Sequence, residues 1–233
     1  MSKATNLLQI LVVTSVIAAS VATSAPIKET ATFSGNDDLE NIMDGRSQTA
    51  HSHDRKLFSE LAHAKATSTL SQATYVYTLH LRLYKENAKP EMDVLLSYAD
   101  MLNATANHSI TEYAMKHEDL RYQIGLLKIA RARTPGSVTL KEIAQLYVQI
   151  RQFYVEHSET LIANYTELAK TKTRIYQIKE RMLPSKTVSQ EEVNEARLSK
   201  EQTETEVAIA TEQLEFAKKA LAEAKADLDR VGR

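Results

Sequence analysis

The sequence predicts an all-α protein: three or four long antiparallel helices, the last two forming a C-terminal coiled-coil hairpin. Three observations carry this expectation. Of 233 residues only 5 are Gly and 4 are Pro, together about 4% against roughly 12% in ordinary proteins. Sandwiches, barrels and doubly wound sheets need frequent turns, and turns consume these two residue types. Apolar residues recur every seven positions through the C-terminal part of the chain, the period of a coiled-coil seam. The few breakers that do occur stand just ahead of helix-starting sequences: Thr134-Pro135-Gly136-Ser137 before Thr139 and Glu142, and Pro184-Ser185-Lys186-Thr187 before Ser189 and Glu192. Each Ser/Thr with Glu three residues on is a capping box, in which side chain and backbone satisfy each other's orphan donors.

The elements follow in order. Residues 1–24 read as a signal peptide. Lys3 gives a weakly positive start, Leu7 to Ala19 an apolar stretch of the right length, and Ser20-Val21-Ala22 or Ala22-Thr23-Ser24 the small residues of a cleavage site. The competing reading is an uncleaved anchor, since Leu7 to Ala25 is just long enough to span a bilayer. Either way the chain is expected to be exported. No later stretch is apolar enough to span. Residues 25–54 are polar and without period, and read as a flexible leader. Residues 55–134 form an N-terminal helical region. In it Leu57, Leu61, Ala64, Leu70, Tyr77, Leu81 and Leu83 lead to Pro90, which opens a second helix or kinks a long one. That second stretch runs to Arg133, with Asn103 to Ser109 polar enough to loosen it.

Residues 137–233 are the hairpin. In its first helix Tyr147, Tyr154, Leu161, Leu168, Ile175 and Met182 recur every seven residues. In its second, Val193, Val207, Leu214, Leu221 and Leu228 share one heptad position, with Lys200 the single break, and Ala196, Thr203, Ala210, Ala217, Ala224 and Val231 follow three residues after each. Small residues at alternate seam positions let the partner backbone come close. Each buried Leu contributes roughly 1.5–3 kcal/mol, against roughly 0.2–0.5 kcal/mol for a Glu–Lys pair on the outer faces. The joining turn is short, so the two helices fold back on each other.

Composition removes several kinds of chemistry. With no Cys there are no disulfides, no thiolate metal sites and no thiol nucleophile. A Cys-free exported chain fits a periplasm better than an extracellular niche. A net charge of −1 gives no electrostatic reason to expect nucleic acid. His51-Ser52-His53-Asp54 is the nearest approach to a metal cluster, able to reach one ion only from an extended backbone; it reads as a solvated His-rich stretch, and neither metal nor cofactor is expected. His63, His80, His108, His117 and His157 show no ligand spacing, and His157 falls beside the seam as a packing residue. Tyr75, Tyr77, Tyr84 and Tyr98 read first as bundle packing and second as a ligand-stacking face. Three Asn-x-Ser/Thr sequons, at Asn103, Asn107 and Asn164, matter only in a eukaryotic secretory path. Lys170, Lys172, Arg174, Lys179, Arg181 and Lys186 gather toward the hairpin tip, as a solvated face or as a surface for an acidic partner. No paired carboxylates, phosphate loop or nucleophile triad stands out, so the chain reads as non-enzymatic.

The segment Arg181-Met182-Leu183-Pro184-Ser185-Lys186-Thr187-Val188-Ser189-Gln190-Glu191-Glu192-Val193-Asn194-Glu195-Ala196 resembles the hairpin tip of the periplasmic adaptor (membrane-fusion) proteins of tripartite efflux and secretion systems. The likeness covers about residues 170–233. It matches Ser189 to the tip Ser, Met182 to the tip Leu and Ala196 to the closing Ala, with Asn194 in place of an acid. At the tip Arg position this chain has Ile178, and the nearest Arg is Arg181. No part of these residues reads as the β-domains that flank the hairpin in that family. The resemblance implies a projecting hairpin whose tip, with Arg181, Met182 and Ser189, meets a helical partner.

The expected role is therefore an exported coiled-coil scaffold or interaction protein of the cell envelope, with an accessory of a transport assembly as one form of it. Its partners would be proteins bound through helical surfaces: a second copy of the chain or envelope transport components. The alternative is a secreted helical-bundle binding module for a small ligand or a host partner.

Overall fold

The computed structural model describes residues 37–134, 136 and 138–231, with side chains from residue 53 onward. Among them are four long helices and no strand: α1 Asp37–Lys85, α2 Glu91–Arg133, α3 Leu140–Met182 and α4 Gln190–Val231, with a 3₁₀ turn at Leu183–Ser185 between the last two. The segment read as a signal peptide lies outside the described residues. None of the described helices is long and apolar enough to cross a membrane.

Each helix end has a local cause. The α1–α2 turn closes through Ala88 N–H donating to the Leu83 carbonyl at 2.8 Å and Asn87 N–H to that of Tyr84 at 2.9 Å. Asn87 takes the left-handed conformation this closure requires (φ 56°), a place that Asn fills nearly as well as Gly. Pro90 is extended just ahead of Glu91, where its missing N–H costs nothing. Thr139 caps α3 with a complete capping box: the Thr139 N–H donates to Glu142 Oε2 at 2.6 Å and the Glu142 N–H to Thr139 Oγ1 at 3.2 Å. Ser189 and Glu192 repeat the arrangement for α4, at 2.8 and 3.1 Å. Lys186 turns the chain through a left-handed residue (φ 60°).

Two expectations about helix extent are corrected. Residues 37–54, read as part of the leader, belong to α1. Gly45 is the one strong helix-breaker in that stretch, at a cost of about 1 kcal/mol. The polar run Asn103 to Ser109 does not interrupt α2. Ala104 and Ala106 are buried within it, and the Thr105 hydroxyl donates to the Met101 carbonyl one turn back at 2.8 Å, keeping its polar group inside the helix.

Helices α3 and α4 run antiparallel along their whole length, 43 and 42 residues, or about 65 Å at a 1.5 Å rise. The Lys179 ammonium donating to the Glu192 carbonyl fixes a register in which Ala196, Thr203 and Ala210 lie level with Ile175, Leu168 and Leu161. All six are buried, as is Val193. The small column of α4 is the tight one: Ala210 is 2% exposed and Ala217 0%. Val207, Leu214, Leu221 and Leu228, from the larger column, are only half-buried. Thr203 satisfies its hydroxyl on the Ser199 carbonyl at 2.9 Å, so its place in the seam leaves no orphan. Lys200 reaches outward to Glu204 at 3.2 Å.

Helix α2 packs antiparallel on α3 through two cores. Leu120 and Ile124 meet Ile143 and Ile150 at one end; Ala99 and Leu102 join Leu168, Ile175 and Ala196 toward the other. Arg174 of α3 pairs with Glu91 at the start of α2, at 3.2 Å.

Helix α1 differs. The inward positions are Lys56, Ser59, His63, Ala66, Leu70, Ala73, Tyr77 and His80, alternating by three and four; Ala66 alone is fully buried among its described residues. Leu57 and Leu61 stand 50% and 69% exposed, and Ala64 is also exposed. The apolar residues of α1 that are conspicuous in sequence are thus partly on its outer side.

Replacing Ala217 with Leu puts a larger side chain where there is no space. A loss of about 1–3 kcal/mol is expected, whereas Phe216→Leu, one residue on and 53% exposed, should change stability little. Thermal unfolding followed by circular dichroism checks this; equal effects at the two positions contradict the close seam.

Candidate functional site

The densest cluster of titratable and aromatic groups lies where α1, α2 and α3 pass one another at mid-length. The heptad-like alternation of α1 brings His63 inward. Its ring sits 4.6 Å, centre to centre, from that of His108 on α2, and its Nδ1 lies 3.4 Å from the Thr111 hydroxyl. One helix further on, His157 of α3 stacks on Tyr113 of α2, rings 8° from parallel and 4.8 Å apart, and shares a hydrogen bond with Ser109 Oγ at 3.1 Å. Tyr154 joins the Tyr113 ring at 5.6 Å, and His117 approaches it from the other side at 5.7 Å.

Burial sets the electrostatics of this layer. His157 is 8% exposed, and burial lowers its pKa to about 4, partly opposed by the negative Glu112. It is neutral at pH 7. Burial also pushes the Tyr113 phenol far above its usual value, with the neighbouring Tyr154 adding to the effect. Glu118 is buried as well. Burial by itself would raise its carboxyl, but the His117 hydrogen bond and the charges of His117, Arg121 and Arg55 outweigh it and hold the group below the usual range. Its Oε1 faces His117 at 3.4 Å and Arg55 at 4.0 Å; Oε2 is buried without a hydrogen-bond partner. Lys56 and Asp119 form the strongest tie between α1 and α2, at 2.6 Å; that hydrogen bond raises the lysine's pKa despite the opposing effect of desolvation.

The arrangement can hold protons and pack rings, but it does not converge on a substrate. Among the described residues no three His, Asp or Glu side chains gather as a metal site would require. Residues 51 and 53 lie on helix α1, which turns them roughly 200° apart, so the extended geometry needed for joint metal binding is not present. The surface recesses are shallow. One of about 470 Å³ lies along α3 and α4, lined by Thr166, Ala169, Thr173 and Val207 with Lys170 and Glu204.

The tyrosines do not form one face. Tyr77 and Tyr98 pair across α1 and α2, 4.9 Å apart, while Tyr75 and Tyr84 point outward. Of the sequons, Asn103 and Asn107 are exposed, and the Asn164 side-chain nitrogen is buried with no hydrogen-bond partner.

At the hairpin tip the basic run is dispersed. Arg174 pairs with Glu91 and Lys170 with Glu167. Lys172 is partly buried, its pKa lowered by that burial against the pull of Asp100 and Glu206. Arg181 and Lys186 remain exposed at the tip itself. Ser189 serves as the α4 cap, and Met182 is half-buried beneath the turn.

No family model matches the chain, and neither a curated protein nor a solved structure matches it.

The histidine layer makes stability depend on pH. His157 has an ordinary pKa of 6.5 when unfolded and about 4 when folded. Its contribution is complete above about pH 6.5 and is lost as pH falls toward 4, by about 3 kcal/mol in all. Denaturant titrations across this window should show the decline in the wild type and a shallower one in His157→Gln. Parallel pH profiles for the two would contradict the assignment.

Proposed function

We propose that the chain is an exported, non-enzymatic coiled-coil interaction protein of the cell envelope, acting as an accessory of a transport assembly. The α3–α4 hairpin is the observation that carries this reading. Helices of 43 and 42 residues turn their seam residues toward each other and end in a short turn with Arg181, Ser185 and Lys186 exposed. An arm of this kind reaches a partner at a distance of about 65 Å while leaving its own seam closed. The likeness of residues 170–233 to adaptor hairpins supports the same role, with the tip as the docking end. The shallow recesses and the divergent tyrosines favour it over a small-ligand module.

A photo-crosslinking amino acid at position 185, in cells that make the protein, should give one discrete adduct, weakened several-fold by Arg181→Glu. Absence of any adduct, with the protein present in the envelope fraction, counts against a docking tip. Recovery of the protein in the cytosol with its first 24 residues intact counts against export.

A further inference from the structure

We propose that α1 is a proton-released arm: when His63 and His108 both take up a proton, their ring contact becomes repulsive and α1 leaves α2, while α2, α3 and α4 stay assembled. The proposal stands on the α1–α2 contact and does not depend on the role proposed for the hairpin.

The geometry of the pair is the first argument. The ring centres are 4.6 Å apart on two different helices, so two imidazolium charges would face each other at a partly buried position. Like charges this close disfavour the doubly charged state. The counter-charges are already committed. Glu112 of α2 is the acid whose field reaches both rings, but its carboxylate receives the Lys116 ammonium at 2.7 Å. Toward the N-terminal side of α1, Glu118 faces Arg55 and His117, and Asp119 holds Lys56. Glu60, one turn from His63, is exposed and acts on Lys56. From α3 come His157 and Arg151, the second acting on Tyr113 and Tyr154. No acid of α3 is recorded as acting on either ring. Two added protons would outnumber the available negative charge.

The second argument is what else holds α1. Its seam contributes one fully buried described residue, Ala66, together with the Lys56–Asp119 pair, the Tyr77–Tyr98 contact and a His80 Nδ1 contact with the Asp93 carbonyl at 3.3 Å. The α2–α3 and α3–α4 seams bury Ile124, Ile150, Leu168 and Ile175. A repulsive contact therefore acts on the helix with the least apolar attachment, and local opening comes from such low-stability elements. His157, buried between α2 and α3, resists charging until near pH 4, so the remaining seam outlasts the first release.

The chain has no Cys, so introduced pairs can be spin-labelled uniquely. One pair is Gln72→Cys with Asn103→Cys, exposed residues level with each other on α1 and α2. The reference pair is Ala163→Cys with Ala208→Cys, exposed and level on α3 and α4. Electron–electron distances are measured at about pH 7.5 and about pH 5.5, either side of imidazole's ordinary titration point. The 72–103 distribution should shift to a longer population at the lower pH, with about half or more of molecules open, and the 163–208 distribution should stay fixed. Adding His63→Gln and His108→Gln should hold the 72–103 distance short at both values. An unchanged 72–103 distance overturns the proposal; so does joint lengthening of both pairs, or an unaltered response in the double variant. If the double variant is already open at about pH 7.5, His108→Asn decides, since it keeps His63 and its Thr111 contact: closed at about pH 5.5 supports the arm, open overturns it.

Discussion

The close approach of α4 to α3 is the interaction on which the rest depends. Four small residues at heptad spacing, Ala196, Thr203, Ala210 and Ala217, are all buried. A column of this kind brings two backbones together and gains dispersion contacts along the full length. It also fixes the axial register, because a small residue must meet a large one at every layer. α3 is thereby pinned along one side, and its other side, carrying Ile143, Ile150, His157 and Leu168, becomes the surface on which α2 is built.

From α3 outward the attachments weaken in order. The α3–α4 seam is a heptad repeat. The α2–α3 seam has two apolar cores separated by the Tyr113–His157 stack and the Ser109 hydrogen bond. The α1–α2 seam is mainly polar and aromatic. Helix propensity alone cannot hold a helix such as α1 in water. It is held by specific pairs, and specific pairs of histidines and carboxylates respond to protons where an apolar seam does not. Stability and responsiveness are thus distributed to opposite sides of the molecule.

This gradient explains what could be read from the sequence. The hairpin was legible because its signal is local: a seven-residue period, two capping boxes and a Pro184 turn each declare themselves within a few residues. The α1 seam was not, because the eye follows Leu57 and Leu61, whereas the inward positions are Lys56, His63, Ala73 and His80. The histidine layer was hidden for a different reason. The contacts His63–Thr111 and Ser109–His157 each join residues 48 positions apart, and no period within one helix links them. Only the stacking of three helices side by side places them at one level. The basic tip shows the converse: a run that looks concentrated in sequence is divided by helical geometry among three directions, with Glu91, Glu167 and Glu206 drawing its members apart.

The order of attachment runs against the order of synthesis. α1 emerges first from the ribosome, but its dock does not exist until α2 is complete, and α2 in turn rests on α3, which α4 holds in place. Each connection is a short hairpin between neighbours in sequence, so no distant pairing has to be found and closure can be rapid once the last helix arrives. Until then the chain has little to anchor it. A polypeptide whose keystone is its final helix stays threadable for nearly the whole time it is being made, and locks only when its C-terminal segment is free to fold back.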